Sequence, residues 1–247
     1  MTWWWIPVAV AGVIFLIFSF IFYGKGFKRI YSFIFAIIAI IILSPALIIL
    51  TLVGAVAFKG NPFFIQLRPG KNKRIFRMPK FRTMKTAFGK DGKPLPDGER
   101  LTGYGRFLRK TSLDELPQLF CILTGKMSFI GPRPLLIKDM VFMTEEENRR
   151  HDVRGGLTGL AQVSGRNAIG WKSKLKLDAK YAEKITFTGD IKILFRTVKI
   201  VFTMKGINEE GFSTAQDYGD YLLREGLITK EQYEEGLTLA KKIAEQG

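Results

Sequence analysis

IYSFIFAIIAIIILSPALIILTLVGAVAF, residues 30–58, decides the architecture of this chain. The run carries no charge and is long enough to cross a bilayer. Its flanks argue against a simple crossing. Lys25, Lys28 and Arg29 precede it, and Lys59, Arg68, Lys71, Lys73 and Arg74 follow it. Basic flanks prefer the cytoplasmic side, so a straight span would strand one of them. Ser44-Pro45 stands at the centre of the run. Proline removes a backbone donor and crowds the preceding turn. A serine hydroxyl re-satisfies freed backbone groups, as lipid demands. The pattern predicts a re-entrant membrane helix over residues 25–59, broken at Ser44-Pro45, that dips into one leaflet and returns. A kinked spanning helix is the simpler alternative.

Working outward, Trp3 to Tyr23 is apolar throughout, with Trp3-Trp4-Trp5 and Phe22-Tyr23 placed like interfacial aromatic belts. Residues 1–24 therefore read as an N-terminal transmembrane helix with its start outside and Lys25 inside. A signal peptide fits less well, since no basic segment precedes the run and no small-residue cleavage site follows it. Everything after Lys59 is then cytoplasmic. No acid occurs before Asp91, and the 247-residue chain has a formal net charge of +16. Such an excess needs an anionic partner: lipid headgroups, a phosphorylated substrate or nucleic acid. The bases are dispersed among apolar segments and no nucleic-acid motif is present, which argues against the last. Cys121 and His151 are the only residues of their kinds. No intrachain disulfide and no Cys/His metal cluster can form, and a Ser–His–Asp triad is disfavoured. His151 reads as structural, and any metal should be a hard cation held by oxygen.

Residues 60–205 are long enough for one compact domain. Arg74 to Met78 alternates basic and apolar residues after the turn Gln66-Leu67-Arg68-Pro69-Gly70, which predicts a small β-hairpin. Lys80 and Arg82 lie two apart, on one strand face, where both could meet a diphosphate. Residues 87–100 read as a loop; 104–109, 116–124, 140–150 and 175–184 read as helices. Arg154-Gly155-Gly156-Leu157-Thr158-Gly159 is a glycine-rich segment able to close on a phosphate, yet it matches no nucleotide fingerprint. Asp190 can cap a basic amphipathic helix running to Thr203 that suits an anionic membrane surface. Residues 206–247 form a C-terminal helical extension, opened by a Thr229-x-x-Gln232 capping box and expected at the periphery. The fold class is thus membrane-associated and mainly α with a small β-hairpin. A re-entrant anchor joins a compact cytoplasmic catalytic domain bearing surface amphipathic helices.

Chemistry concentrates at Leu108-Arg109-Lys110-Thr111-Ser112-Leu113-Asp114-Glu115-Leu116-Pro117-Gln118-Leu119-Phe120. Adjacent carboxylates beside two bases allow one oxygen to attack an electrophile while the other group holds a divalent cation. The competing reading is Ser112-x-x-Glu115 as a capping box.

These segments together resemble one family. In order they are Lys28-Arg29, Ser44-Pro45, Gln66-x-Arg68-Pro69-Gly70, Lys80-Phe81-Arg82-Thr83-Met84, Leu108 to Leu119, Met127 to Pro134, and Gly155 to Asn167. The chain is similar over residues 25–205 to the bacterial sugar transferases, the monotopic polyprenyl-phosphate phosphoglycosyl transferases. The resemblance implies an enzyme at the bacterial inner (cytoplasmic) membrane that moves a sugar-1-phosphate from a UDP-sugar to undecaprenyl phosphate, releasing UMP. By the same resemblance Asp114 is the nucleophile of a ping-pong cycle and Glu115 ligates Mg²⁺. Arg109 and Arg166 lie near the substrate phosphates, with Lys80, Arg82 and Arg133 as weaker matches. Gly165 to Ile169 resembles members that handle N-acetylated sugars. Expected partners are the donor, the acceptor and anionic membrane lipids, with no nucleic acid; a homo-oligomer is left open. Three departures stand out. Ser32 occupies a position where the family has an acid, so that salt link is expected to be missing. Leu160 replaces a frequent tryptophan. The Trp3–Tyr23 span precedes the family core. A non-catalytic, membrane-anchored scaffold for anionic lipids or polysaccharide precursors is the alternative function.

Overall fold

The computed structural model describes residues 3, 5–89, 92–165, 169–203 and 216–247. Two N-terminal apolar helices come first, α1 (Trp5–Ile21) and α2 (Phe27–Phe58). The hairpin β1 (Phe63–Pro69) and β2 (Ile75–Phe81) follows, then α3 (Asp97–Arg100), α4 (Gly103–Thr111) and α5 (Leu119–Leu123). A second small sheet joins β3 (Met127–Ile130) to β4 (Gly155–Thr158) across the short helices α6 (Ile137–Met140) and α7 (Glu145–Asn148). The described chain ends in α8 (Leu160–Gly165), α9 (Trp171–Glu183), α10 (Phe187–Thr203), α11 (Tyr218–Arg224) and α12 (Lys230–Gln246). The fold is mainly helical with little sheet, as expected.

Among the described residues, α2 alone is long and apolar enough to cross a membrane by length and composition. It does not divide into two helices: the helix runs through Pro45. The reason is local. Pro45 frees the carbonyl of Ile41, four residues back, and the Ser44 hydroxyl donates to that oxygen at 2.8 Å. The proline's missing bond is thus replaced within the same turn.

The helix lies along the globular body rather than projecting from it. Near its start, Arg29 donates to the carbonyls of Ile122 and Leu123, both at 2.7 Å, at the C-terminal end of α5. In its first half, Ala36 packs with Phe76, Met78, Leu119 and Ile122. Past the proline, Leu50 packs with Phe81 and Leu108, and its carbonyl accepts from the Tyr104 hydroxyl at 2.7 Å. Near its end, a Cβ on Gly54 would stand 2.9 Å from Pro62. The opposite side of α2 is greasy and open, with Ile41, Ile42 and Val56 all more than 60 % exposed. That asymmetry suits a helix with protein on one side and lipid on the other.

The Ser32 departure resolves differently from expectation. Lys28 finds its counter-charge in Asp190 of α10, at 2.7 Å, and Asp190 also accepts from the hydroxyls of Tyr23 (2.9 Å) and Tyr181 (2.7 Å). Asp190 is therefore a buried tie between α2 and α10, not a cap. Ser32 instead shares a 3.1 Å hydrogen bond with Ser128 of β3. Leu160 packs with Ile130, Tyr181 and Ile193.

Two further expectations change. Residues 140–150 are not one helix; α6 ends at Met140 and Thr144 starts α7 with its own capping box. The C-terminal helices are not peripheral. Tyr218 joins a core with Leu175 and Leu222, Ala240 packs on Ile137 and Met140, and the Thr229–Gln232 capping box is present as read.

Candidate active site

Helix α4 ends at Ser112, which adopts the left-handed conformation (φ 58°) and turns the chain into a 3-10 helix, Leu113–Gln118. Both carboxylates sit in its first turn. Its apolar side anchors it, with Leu116 packed against the Phe76–Met78 and Phe81–Leu108 clusters. At about three residues per turn, adjacent side chains of a 3-10 helix diverge by roughly a third of a turn. Asp114 and Glu115 consequently face different neighbours.

Glu115 is the anchored member. Its Oε1 accepts from Lys80 at 2.9 Å, and the Arg133 guanidinium grips both oxygens, one contact being 3.2 Å. Burial alone would push Glu115 up. The Arg133 and Lys80 charges, each reinforced by a hydrogen bond, outweigh burial and hold it well below the usual carboxylate range. The capping-box reading fails here, because Ser112 makes no side-chain cap and Glu115 turns to the two bases.

Asp114 is the available member. Among the described residues it makes no ion pair or side-chain hydrogen bond. Burial, and next the charge of Glu115, push its pKa up, while Lys80, Arg133 and Arg109 pull the other way. Its carboxylate is thus less well solvated and more basic than an exposed one, which favours nucleophilic use.

Both acids line a cavity of about 1070 Å³. Eight basic residues line it against four acidic ones: Arg68, Lys80, Arg82, Lys85, Arg100, Arg109, Arg133 and Lys174 against Asp97, Asp114, Glu115 and Asp178. Such a surplus attracts an anionic ligand. Of the expected site residues, Lys80 and Arg133 meet at Glu115. Arg109 donates to the Thr83 hydroxyl at 3.2 Å and adds its charge near Asp114. Arg82 stands apart from the carboxylates, bonded to Thr86 at 2.6 Å and set over the Phe58 ring. Lys80 and Arg82 thus share a cavity but not a partner. Arg166 lies outside the described residues, as do Asn167 and Ala168.

Sequence reasoning missed Arg68. It donates to Pro134 O (3.2 Å) and Gln66 Oε1 (2.6 Å), while its buried Nε has no partner. Burial, then the nearby Arg133 charge, lowers its pKa to about 10. Its signal was the Gln66-x-Arg68-Pro69-Gly70 segment, read as a turn and as a family motif but given no role at the site. Asp178 was also missed; it lines the cavity and forms a fully buried pair with Arg150 (2.7 Å).

The glycine-rich segment proves to be a strand, not a phosphate loop. Gly155–Thr158 pairs in parallel with β3, and the Gly156 N–H is committed to Pro132 O at 2.9 Å. Glycine is required for closeness, since a Cβ on Gly156 would stand 2.1 Å from Gly131 N. His151 is buried, and burial together with the Arg150 charge lowers its pKa to about 3.

A hard cation finds two neighbouring carboxylates here, with Glu115 already paired. Among the described residues no group of three or more His, Cys, Asp or Glu side chains could hold a metal. Mg²⁺ is often bound through one or two carboxylates, with phosphate oxygens and water completing its shell.

Comparison with known proteins identifies the family. A family profile described as bacterial sugar transferase matches residues 23–204. EpsL of Bacillus subtilis, an uncharacterized sugar transferase, is 45% identical over 175 residues, covering 70% of this chain and 87% of that protein. An undecaprenyl-phosphate galactose phosphotransferase of Salmonella typhimurium is 35% identical over 205 residues, covering 74% of this chain and 42% of the relative. A Klebsiella pneumoniae UDP-glucose:undecaprenyl-phosphate glucose-1-phosphate transferase is 34% identical over 188 residues, 70% of this chain and 39% of the relative. The chain therefore spans most of the first and about two-fifths of the other two.

Proposed function

Because the chain belongs to the bacterial sugar transferase family, we propose that it moves a sugar-1-phosphate from a UDP-sugar to undecaprenyl phosphate and releases UMP. One observation carries the residue assignment: among the described residues Asp114 stands without an ion pair beside a neutralised Glu115, in a cavity rich in bases.

In the first half-reaction an Asp114 oxygen attacks the sugar-bearing phosphorus. The bond from that phosphorus to the bridging oxygen breaks, and UMP leaves with the electron pair. In the second, an oxygen of the lipid phosphate attacks the phosphosugar–aspartate at phosphorus, and the carboxylate is regenerated. Nucleophile, donor and acceptor are all anionic, so uncompensated they repel one another. Lys80, Arg133 and Arg109 supply fixed positive charge where negative charge builds. Glu115 would hold Mg²⁺, which when bound would add Lewis-acid neutralisation of that charge.

The anchor belongs to the same proposal. Arg29 near one end of α2 and Gly54 near the other touch a single globular body, which supports a helix that enters and leaves on one side. The site then rests at headgroup depth on the cytoplasmic face of the inner membrane, where the acceptor's phosphate resides. The expected test is UMP release by purified protein given Mg²⁺, a UDP-sugar panel and undecaprenyl phosphate, with none from Asp114→Asn. Mass spectrometry after donor alone should find the phosphosugar on Asp114. Full turnover by the Asn variant would refute the assignment.

A further inference from the structure

We propose that a second, apolar cavity, between α1, α2 and α10, holds the isoprenoid chain of the acceptor while its phosphate lies in the catalytic cavity; the proposal rests on the transfer reaction above. The cavity measures about 980 Å³, the size of a small-molecule site. Its walls include Phe20 and Ile21 of α1, Phe35 and Ile38 of α2, and Ile191 and Leu194 of α10.

Three observations select a hydrocarbon attached to a phosphate. The few polar groups at the wall already satisfy one another: Ser32 bonds Ser128, and Asp190 takes Lys28, Tyr23 and Tyr181. A polar ligand would find little to bond, whereas apolar surface is favourable to cover. The two cavities also abut. Phe129 and Leu194 line both, which sets the apolar cavity side by side with the catalytic one, within reach of a chain whose phosphate lies there. Finally, the neighbouring cavity is basic, as a phosphate monoester at the head of that chain requires. The α1 wall lies outside residues 23–204, so this site draws on a segment beyond the family match.

The test uses the full chain in nanodiscs with a photoactivatable polyprenyl phosphate, followed by peptide mapping. Adducts are expected on α1 near Phe20–Ile21 and on α10 near Ile191–Leu194, competed by undecaprenyl phosphate but not by phosphatidylglycerol. Ile38→Trp, which fills the cavity from α2, should remove those adducts. It should also raise the KM for undecaprenyl phosphate by about tenfold or more, leaving the KM for the UDP-sugar and the rate with a two-isoprene phosphate unchanged. Ile42→Trp, from the same wall, guards against a folding defect in the first variant. Adducts confined elsewhere, or competition by phosphatidylglycerol, would overturn the site. So would equal losses with long and short acceptors. Mapping does not require turnover: specific adducts without transfer would uphold the chain site and count against the reaction.

Discussion

Replacing Glu115 by Gln should destabilise the protein by an amount the ion-pair geometry sets. The carboxylate is gripped by Lys80 at 2.9 Å and by the Arg133 fork, with side-chain exposures of 15% for Glu115, 17% for Lys80 and 41% for Arg133. Removing one partner of a buried pair costs about 3–5 kcal/mol, because the other charge remains desolvated. Arg133 is open enough to recover water, so the loss should fall at the low end, about 3 kcal/mol. For a chain of this size each kcal/mol moves Tm by roughly 2–4 °C, which gives a fall of about 6–12 °C. Calorimetry in detergent at neutral pH reads it directly. Adding Lys80→Met should restore part of the loss, about 1–2 kcal/mol, because it removes the orphaned ammonium. The pH dependence follows from the depressed Glu115 pKa. Its stabilisation is complete above the ordinary carboxylate value and disappears only as pH falls through the lower folded value. Wild type and variant should therefore converge only in strong acid. A variant melting within 2 °C of wild type on that ~2–4 °C scale, or strict additivity in the double variant, would refute this account of the site.

Lys80→Met should also act on Asp114. Lys80 is among the charges that pull the Asp114 pKa down, so without it the acid limb of the pH–rate profile should move to higher pH; an unmoved limb would separate the two residues. Gly156→Ala should cost about 3 kcal/mol or more or block folding, since its Cβ would lie 2.1 Å from Gly131 N, and protein yield with melting temperature checks it. Gly26→Cys and Gly60→Cys, sited where a Cβ has room and with Cys121 buried, should both react with a membrane-impermeant thiol reagent from the cytoplasmic side. Labelling from opposite sides would mean that α2 crosses the bilayer.

Local rules made part of this legible. The hairpin followed from Arg74–Met78 alternation, and the Thr229 capping box from its spacing. Asp114 and Glu115 were visible as an adjacent pair, and Lys80 and Arg133 as bases near them in the motif order. What the sequence concealed was partnership over distance. Lys28 and Asp190 are 162 residues apart, and nothing between them announces that they pair. The glycine-rich segment misled because glycine serves both phosphate loops and close backbone packing, and only the approach of Gly131 distinguishes the two. Arg68 was concealed by a proline and glycine that advertised a turn. Pro45 was read as a break because the rule for proline is local, while the rescue by Ser44 depends on the rotamer it adopts.

The two carboxylates show how a basic site can keep one acid reactive. Had both faced the bases, both would be held low in pKa and engaged in ion pairs; had neither, their mutual repulsion would favour protonating one. The 3-10 turn separates them instead. Glu115 takes Lys80 and Arg133, leaving that trio with one net positive charge beside Asp114. Asp114 balances this charge without being clamped by it, and its pKa moves opposite to its neighbour's. Divergent pKa values in adjacent acids mark different chemical tasks. Here one acid orders the cations and the other, among the described residues, stays unpaired. Arg109 adds to that positive charge, whereas Arg100 is already paired with Asp97 at 2.5 Å, so not every base of the cavity is open to an anionic ligand.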